Sequence, residues 1–187
     1  EDVDLLVIAT KATTLPAALE RVHGSPGLVV PLLNGLDHVA LLRERFGQRA
    51  VAATIRVEAD RPAPGRVTQT SPFLWVELAS DDPEVRPRLD PVAELLSAAG
   101  IPASVGSSEA QVLWSKLARL NPLACTTSAI DRPIGFIRED PEWRATLESA
   151  IRETVAVARA EGAEIDPEDP IRELVERICS RMGVKFE

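Results

Sequence analysis

The sequence predicts an α/β domain over residues 1–106 followed by an all-helical domain over 107–187. Two observations carry that prediction. Short continuous apolar runs alternate with amphipathic stretches through the first part, the order that builds a sheet with helices packed on it. Beyond residue 106 the apolar positions recur at three-to-four spacing and are interrupted only by proline and glycine clusters.

Taken in order, VDLLVIA at 3–9 is a continuous apolar run, the pattern of a strand buried on both faces of a parallel sheet. A helix is expected from Thr14 to Val22, with Pro16 tolerated in its first turn. GLVVPLLNG at 27–35 is a second strand ending at Asn34-Gly35, residues 37–46 form a helix, and AVAATIRVEA at 50–59 forms a third strand. The PAPG turn at 62–65 then separates that strand from RVTQT at 66–70, and FLWVELA at 73–79 suggests a hairpin or edge arrangement. A helix from Pro91 to Ala99 stops at Gly100, and residues 101–105 give one more short strand.

The helical part opens on SSEAQVLWSKLARLN, 107–121. Ser107 or Ser108 can cap its first free amides, with Glu109 and Gln111 in the opening turn. Val112, Leu113, Leu117 and Leu120 trace the expected apolar stripe, and Lys116 stands between Trp114 and that stripe. Either Lys116 is a surface lysine resting its methylene stem on apolar neighbours, or its ammonium is held near an apolar wall where it can protonate a developing alkoxide. Pro122 kinks or ends this helix, LACTTSAI carries a further helical segment to Ile130, and residues 131–135 read as a turn. The strongest helix spans Glu142–Glu161, with Trp143, Leu147, Ile151, Thr154, Val155 and Ala158 on one face and Gly162 as its stop. Residues 162–170 read as linker, and a last amphipathic helix is expected from Ile171 to Arg181.

The chain of 187 residues is 45% hydrophobic and 27% charged, which suits a globular protein, and its net charge of −8 argues against a duplex-binding surface. A local pocket for one phosphorylated cofactor is still compatible with that charge. Trp75, Trp114 and Trp143 are scattered over different elements, so core packing or interface anchoring is expected of them rather than nucleic-acid stacking. Cys125 and Cys179 are too far apart in sequence and setting to suggest a disulfide framework, and Cys125 is expected to be a small buried hydrophobe. With only His23 and His38, no histidine-rich metal site is expected. No run reaches the roughly 18 apolar residues of a membrane span, and a cytoplasmic protein is the default expectation.

Five segments together resemble the ketopantoate reductase family, the NADP-dependent 2-dehydropantoate 2-reductases: DLLVIATKA at 4–12, VVPLLNGLDH at 29–38, LLSAAGIPA at 95–103, VLWSKLARLNPLACTTSAIDRPIG at 112–135 and AVARAEGAEID at 156–166. The resemblance implies a Rossmann-like domain for NADP(H) followed by a helical domain that closes over a 2-oxo acid. It further implies that the family's glycine-rich loop and first strands would precede Glu1, and that a helical segment would lie between Pro170 and Ile171 in a full-length relative. Lys116 matches the family's catalytic lysine in its tryptophan-x-lysine-leucine setting. Asn34 matches the asparagine that approaches nicotinamide and substrate, while Lys11 and Ala59 match cofactor-contacting positions. The family's substrate-holding asparagines would fall on Leu120, Ala124 and Ile134, so the resemblance supports the reaction class and leaves open a more apolar 2-oxo acid or a non-catalytic cofactor-binding role. The apolar faces of the C-terminal helices suit either intramolecular packing or a two-fold interface, and relatives imply a homodimer.

Overall fold

A computed structural model describes residues 3–174, which form two compact units divided between Leu113 and Trp114. In the first, β1 (Leu5–Ile8) leads through a single 3-10 turn at 12–14 into the short helix α1 (Leu15–Leu19). This helix is shorter than expected, because the 3-10 turn takes up Thr14 and the chain turns again at Glu20. Strand β2 (Leu28–Pro31) pairs parallel with β1, and α2 (Asp37–Phe46) occupies the expected residues. Strand β3 (Ala52–Arg56) joins this sheet through a parallel bridge between Val29 and Ala50, with the Val51 amide donating to the Val29 carbonyl at 3.1 Å.

The hairpin turns within the expected PAPG segment and leads into RVTQT, while FLWVELA takes no part in it. It consists of β4 (Ala59–Ala63) and β5 (Arg66–Gln69), turning at Pro64-Gly65, and all of its residues are exposed. Strand β6 (Trp75–Ala79) is antiparallel to β3 and interior, since β7 (Ala103–Val105) pairs parallel on its other side. Its alternating pattern left the partner undetermined; pairing with β3 gives Val76 and Leu78 a place in the core. Helix α3 (Leu89–Ala98) starts two residues before the expected Pro91, prefaced by a 3-10 turn at 86–88.

Alternation sorts the side chains into two layers. Leu28, Val30, Val51, Ala53, Val76 and Leu78 face α3, where Leu89 and Ala93 close over them. Ile8, Val29, Leu33 and Ala50 face the other way, against Leu15 and Leu19 of α1 and Leu42 and Phe46 of α2. Two-sided burial therefore holds for β2, all four of whose residues are buried. It fails for β1: Val7 is 46% exposed, because the cluster beneath α3 reaches only as far as Leu5.

Helix α4 (Glu109–Ile130) runs on through Pro122, and its residues from Trp114 onward open the second unit. Its buried positions are Val112, Ala118, Pro122 and Thr126, whereas Leu113, Leu117 and Leu120 are half-buried. The seam in this part thus follows small residues four apart rather than the leucines. Cys125, expected to be buried, is exposed; it lies beside Asn121 on the open side of the helix, with Sγ 3.6 Å from Asn121 Oδ1. Helix α5 (Ile134–Glu139) begins inside the expected turn. Helix α6 (Pro141–Ala160) is capped by Asp140, whose Oδ1 accepts from the Glu142 and Trp143 amides at 3.0 Å each, and it buries Leu147, Ile151, Val155 and Ala158 as predicted. Helix α7 (Glu168–Arg172) starts within the expected linker and buries Pro170 and Ile171. The rest of the predicted last helix, with Cys179, lies outside the described residues.

Candidate active site

The parallel strands set the geometry. Lys11, Asn34 and Ala59 each follow the last residue of a strand by three positions, after Ile8 of β1, Pro31 of β2 and Arg56 of β3. Because Ile8 is in register with Pro31 and β2 is bridged in parallel to β3, all three residues leave the same, carboxyl, end of the sheet. That end is where open α/β sheets bind ligands, since the loops leaving it are free of the packing that fixes the strands. Lys11, Asn34 and Ala59 are all exposed there. Gly35 makes the turn after Asn34 possible: its φ of +93° is one that L side chains rarely adopt. Ala59 starts β4, whose base is tied by the Thr70 amide to the Glu58 carbonyl at 2.9 Å and by the Glu58 amide to Ser71 Oγ at 3.0 Å.

The start of α4 is fastened to the same unit. Ser108, rather than Ser107, acts as the cap, accepting from the Gln111 amide at 3.1 Å. Glu109 Oε1 accepts from Arg43 Nη2 at 2.6 Å and from the Asp81 amide at 3.0 Å, while the Glu109 amide donates to Asp81 Oδ1 at 3.1 Å. Arg43 also donates through Nε to the Ala50 carbonyl at 3.1 Å, so one guanidinium links α2, the entrance to β3 and α4. Val112 then packs on Ala52 and Ala79, with Leu113 at the margin. Lys116 is half-buried one turn beyond Val112 on the same helix.

Sequence reasoning passed over three side chains. Thr54 and Arg56 alternate onto the α4 side of β3, and the register sets Thr54 opposite Glu77 and Arg56 opposite Trp75. ATIR alone discloses that the threonine and arginine share a face; only the pairing with β6 supplies Glu77 and Trp75. Trp75 is 41% exposed and Trp114 and Trp143 are half-buried, so none of the three is a fully buried core residue. Among the described residues no group of histidine, cysteine or carboxylate side chains is arranged to hold a metal ion, and no helix is long and apolar enough to cross a membrane.

Comparison with known proteins finds matches over most of the chain. Residues 1–79 match the family described as Ketopantoate reductase PanE/ApbA, and residues 110–185 match Ketopantoate reductase PanE/ApbA C terminal. The chain belongs to the ketopantoate reductase family. A 2-dehydropantoate 2-reductase of Caulobacter vibrioides is 31% identical over 172 residues, 90% of this chain and 57% of that protein. The corresponding enzyme of Streptococcus pyogenes is 28% identical over 173 residues, 90% of this chain and 56% of that protein. The chain therefore spans a little over half the length of these family members. Among solved structures, D-mandelate dehydrogenase with NADH and anilino(oxo)acetate is similar with a TM-score of 0.81 at 20% identity, covering 94% of this chain and 58% of that one. That likeness extends the family assignment to the fold: a Rossmann-like α/β part followed by a helical C-terminal part. Within the C-terminal match, Leu120 and Ile134 are half-buried and Ala124 is exposed.

Proposed function

We propose that the full-length protein is an oxidoreductase that reduces a small 2-oxo acid with NADPH, Lys116 serving as general acid. The observation that carries this reading is Lys116 itself, half-buried in a Trp114-x-Lys116-Leu117 setting within the stretch matched by the family's C-terminal part. The strand ends support a cofactor site. Lys11 offers a cation and Asn34 an amide, Ala59 opens the neighbouring hairpin, and among the described residues nothing beyond Gly35 and its chain neighbours lies within 4 Å of where a side chain on Gly35 would begin, which leaves room there for a flat ring or a phosphate. Bound NADPH supplies the hydride. Lys11 holds ribose or phosphate, and the Asn34 amide orients nicotinamide and substrate. As negative charge grows on the substrate's carbonyl oxygen, the Lys116 ammonium stabilises it and transfers a proton from Nζ. A cytoplasmic homodimer completes the proposal, with Phe136 at 40% and Val157 at 52% exposure supplying apolar surface for a second copy.

Lys116→Ala in the full-length protein, assayed with NADPH against a panel of 2-oxo acids, is expected to lower kcat by at least about 100-fold, the range of a lost acid catalyst. Full turnover in a folded variant would remove Lys116 from the chemistry, and a rise in KM alone would make it a binding group. Leu120, Ala124 and Ile134 favour a second reading in which the substrate is more apolar than ketopantoate, since these side chains give a substrate hydroxyl nothing to bond. A branched 2-oxo acid without the hydroxyl then outperforms ketopantoate in kcat/KM. NADPH binding with no turnover anywhere on the panel would instead establish a cofactor-binding relative, and comparison of NADPH with NADH tests the choice of dinucleotide.

A further inference from the structure

The face of the β3–β6 pair that carries Val112 changes character along its length. It begins with Ala52 opposite Ala79, covered by Val112 and Leu113. It continues with Thr54 opposite Glu77 and ends with Arg56 opposite Trp75, at the carboxyl end of β3. An apolar floor thus gives way to a hydroxyl, a carboxylate, a guanidinium and an indole within three cross-strand pairs. Thr54 is the anomaly: it is 3% exposed and its Oγ1 has no hydrogen-bond partner among the described residues. A buried hydroxyl without a partner is destabilising, and such groups in folded proteins call for a specific explanation. Two residues on, Arg56 Nη2 is 3.9 Å from Glu77 Oε2, a separation at which the charges attract without a hydrogen bond being made. The arginine side chain is 31% exposed and that of Glu77 24%.

We propose that Arg56 binds the carboxylate of the acid substrate, that Thr54 supplies a second polar contact to it, and that Trp75 forms the wall against which the substrate's side chain packs. The proposal rests on the 2-oxo acid reading above and assigns the group that distinguishes an acid from a neutral carbonyl compound. A guanidinium suits the task because its planar fork meets both oxygens of a carboxylate at once, which an ammonium does not. An indole directly opposite offers a flat apolar surface beside that fork. Glu77 opposes the binding by repulsion and at the same time holds Arg56 on this face in the absence of substrate, so it sets the affinity rather than abolishing it.

The full-length protein is assayed with one 2-oxo acid and with its methyl ester, which keeps the reacting carbonyl and removes the charge. The wild type is expected to favour the acid in kcat/KM, and Arg56→Ala to remove about 10- to 100-fold of that preference, through KM rather than kcat. Arg56→Lys restores part of it, and Glu77→Gln raises the acid-to-ester preference several-fold. An acid-to-ester ratio equal to the wild type's in both Arg56 variants overturns the proposal. So does a loss confined to NADPH affinity, which would place Arg56 on the cofactor. Circular dichroism checks each fold, and if the alanine variant does not fold, Arg56→Gln takes its place. Should the wild type reduce no 2-oxo acid, the reductase reading fails, yet calorimetric binding of oxamate still decides the role of Arg56: oxamate binding lost in the variants supports it, and oxamate binding retained overturns it.

Discussion

Gly106 shows how much one absent side chain can decide. A Cβ there would stand 2.3 Å from Val112 Cγ2, far inside contact distance. The backbone cannot move aside, because its amide donates to the Leu78 carbonyl at 2.8 Å and its carbonyl accepts from Arg86 Nη1 at 2.9 Å. Gly106→Ala should therefore destabilise the protein by about 1–3 kcal/mol in urea unfolding, the usual cost of overpacking. In combination with Val112→Ala the losses should sum to less than the separate values, since the second change removes the atom that clashes. A Gly106→Ala variant as stable as the wild type would show that the start of α4 can slide on the sheet. Nothing in the glycine's sequence neighbourhood separates it from a loop glycine, because the clash is with a residue that reaches it only once α4 lies on β3 and β6.

Among the elements, the start of α4 is held by several side chains at once. Ser108→Ala removes the cap and should lower stability by about 1 kcal/mol. Glu109→Ala leaves Arg43 and the Asp81 amide without their shared acceptor and should cost more, about 1.5–3 kcal/mol, because a charge-assisted hydrogen bond is lost. Glu109→Gln keeps an acceptor oxygen and should fall between the two; equal losses for the amide and alanine variants would mean that the charge, not the hydrogen bonds, fixes the helix. The long helices were readable in advance for a local reason: a 3.6-residue period with a stop signal reports a helix without knowledge of its neighbours, as α6 illustrates with its Asp140 cap and the Gly162 that follows it, and as α2 illustrates with Gly47 alone. Strand partners were not, because the alternation in FLWVELA is satisfied equally by β3 or by RVTQT. The burial of Cys125 failed on the same ground, since α4 buries its small residues at 118, 122 and 126 and turns the cysteine away from that seam.

At the scale of the whole molecule, β1 pairs with β2 alone among the described residues and leaves Val3 and Val7 close to half exposed. A strand with an unpaired edge and apolar side chains invites pairing with another chain. The 187-residue chain alone is expected to self-associate as its concentration rises, read by light scattering, and Val7→Lys to suppress this; unchanged association would locate the contact elsewhere. By itself the sequence determined the α/β-then-helical order, the family, and Lys11, Asn34, Ala59 and Lys116 as candidates, because periodicity and short motifs are properties of contiguous residues. Tertiary structure alone decided that β3 and β6 are neighbours, that Arg43, Asp81 and Glu109 converge on one helix end, and that Thr54, Arg56, Glu77 and Trp75 share a face. The physical reason is that register and packing join residues from distant parts of the chain, and the energy that selects those partners comes from burying surfaces no single segment contains.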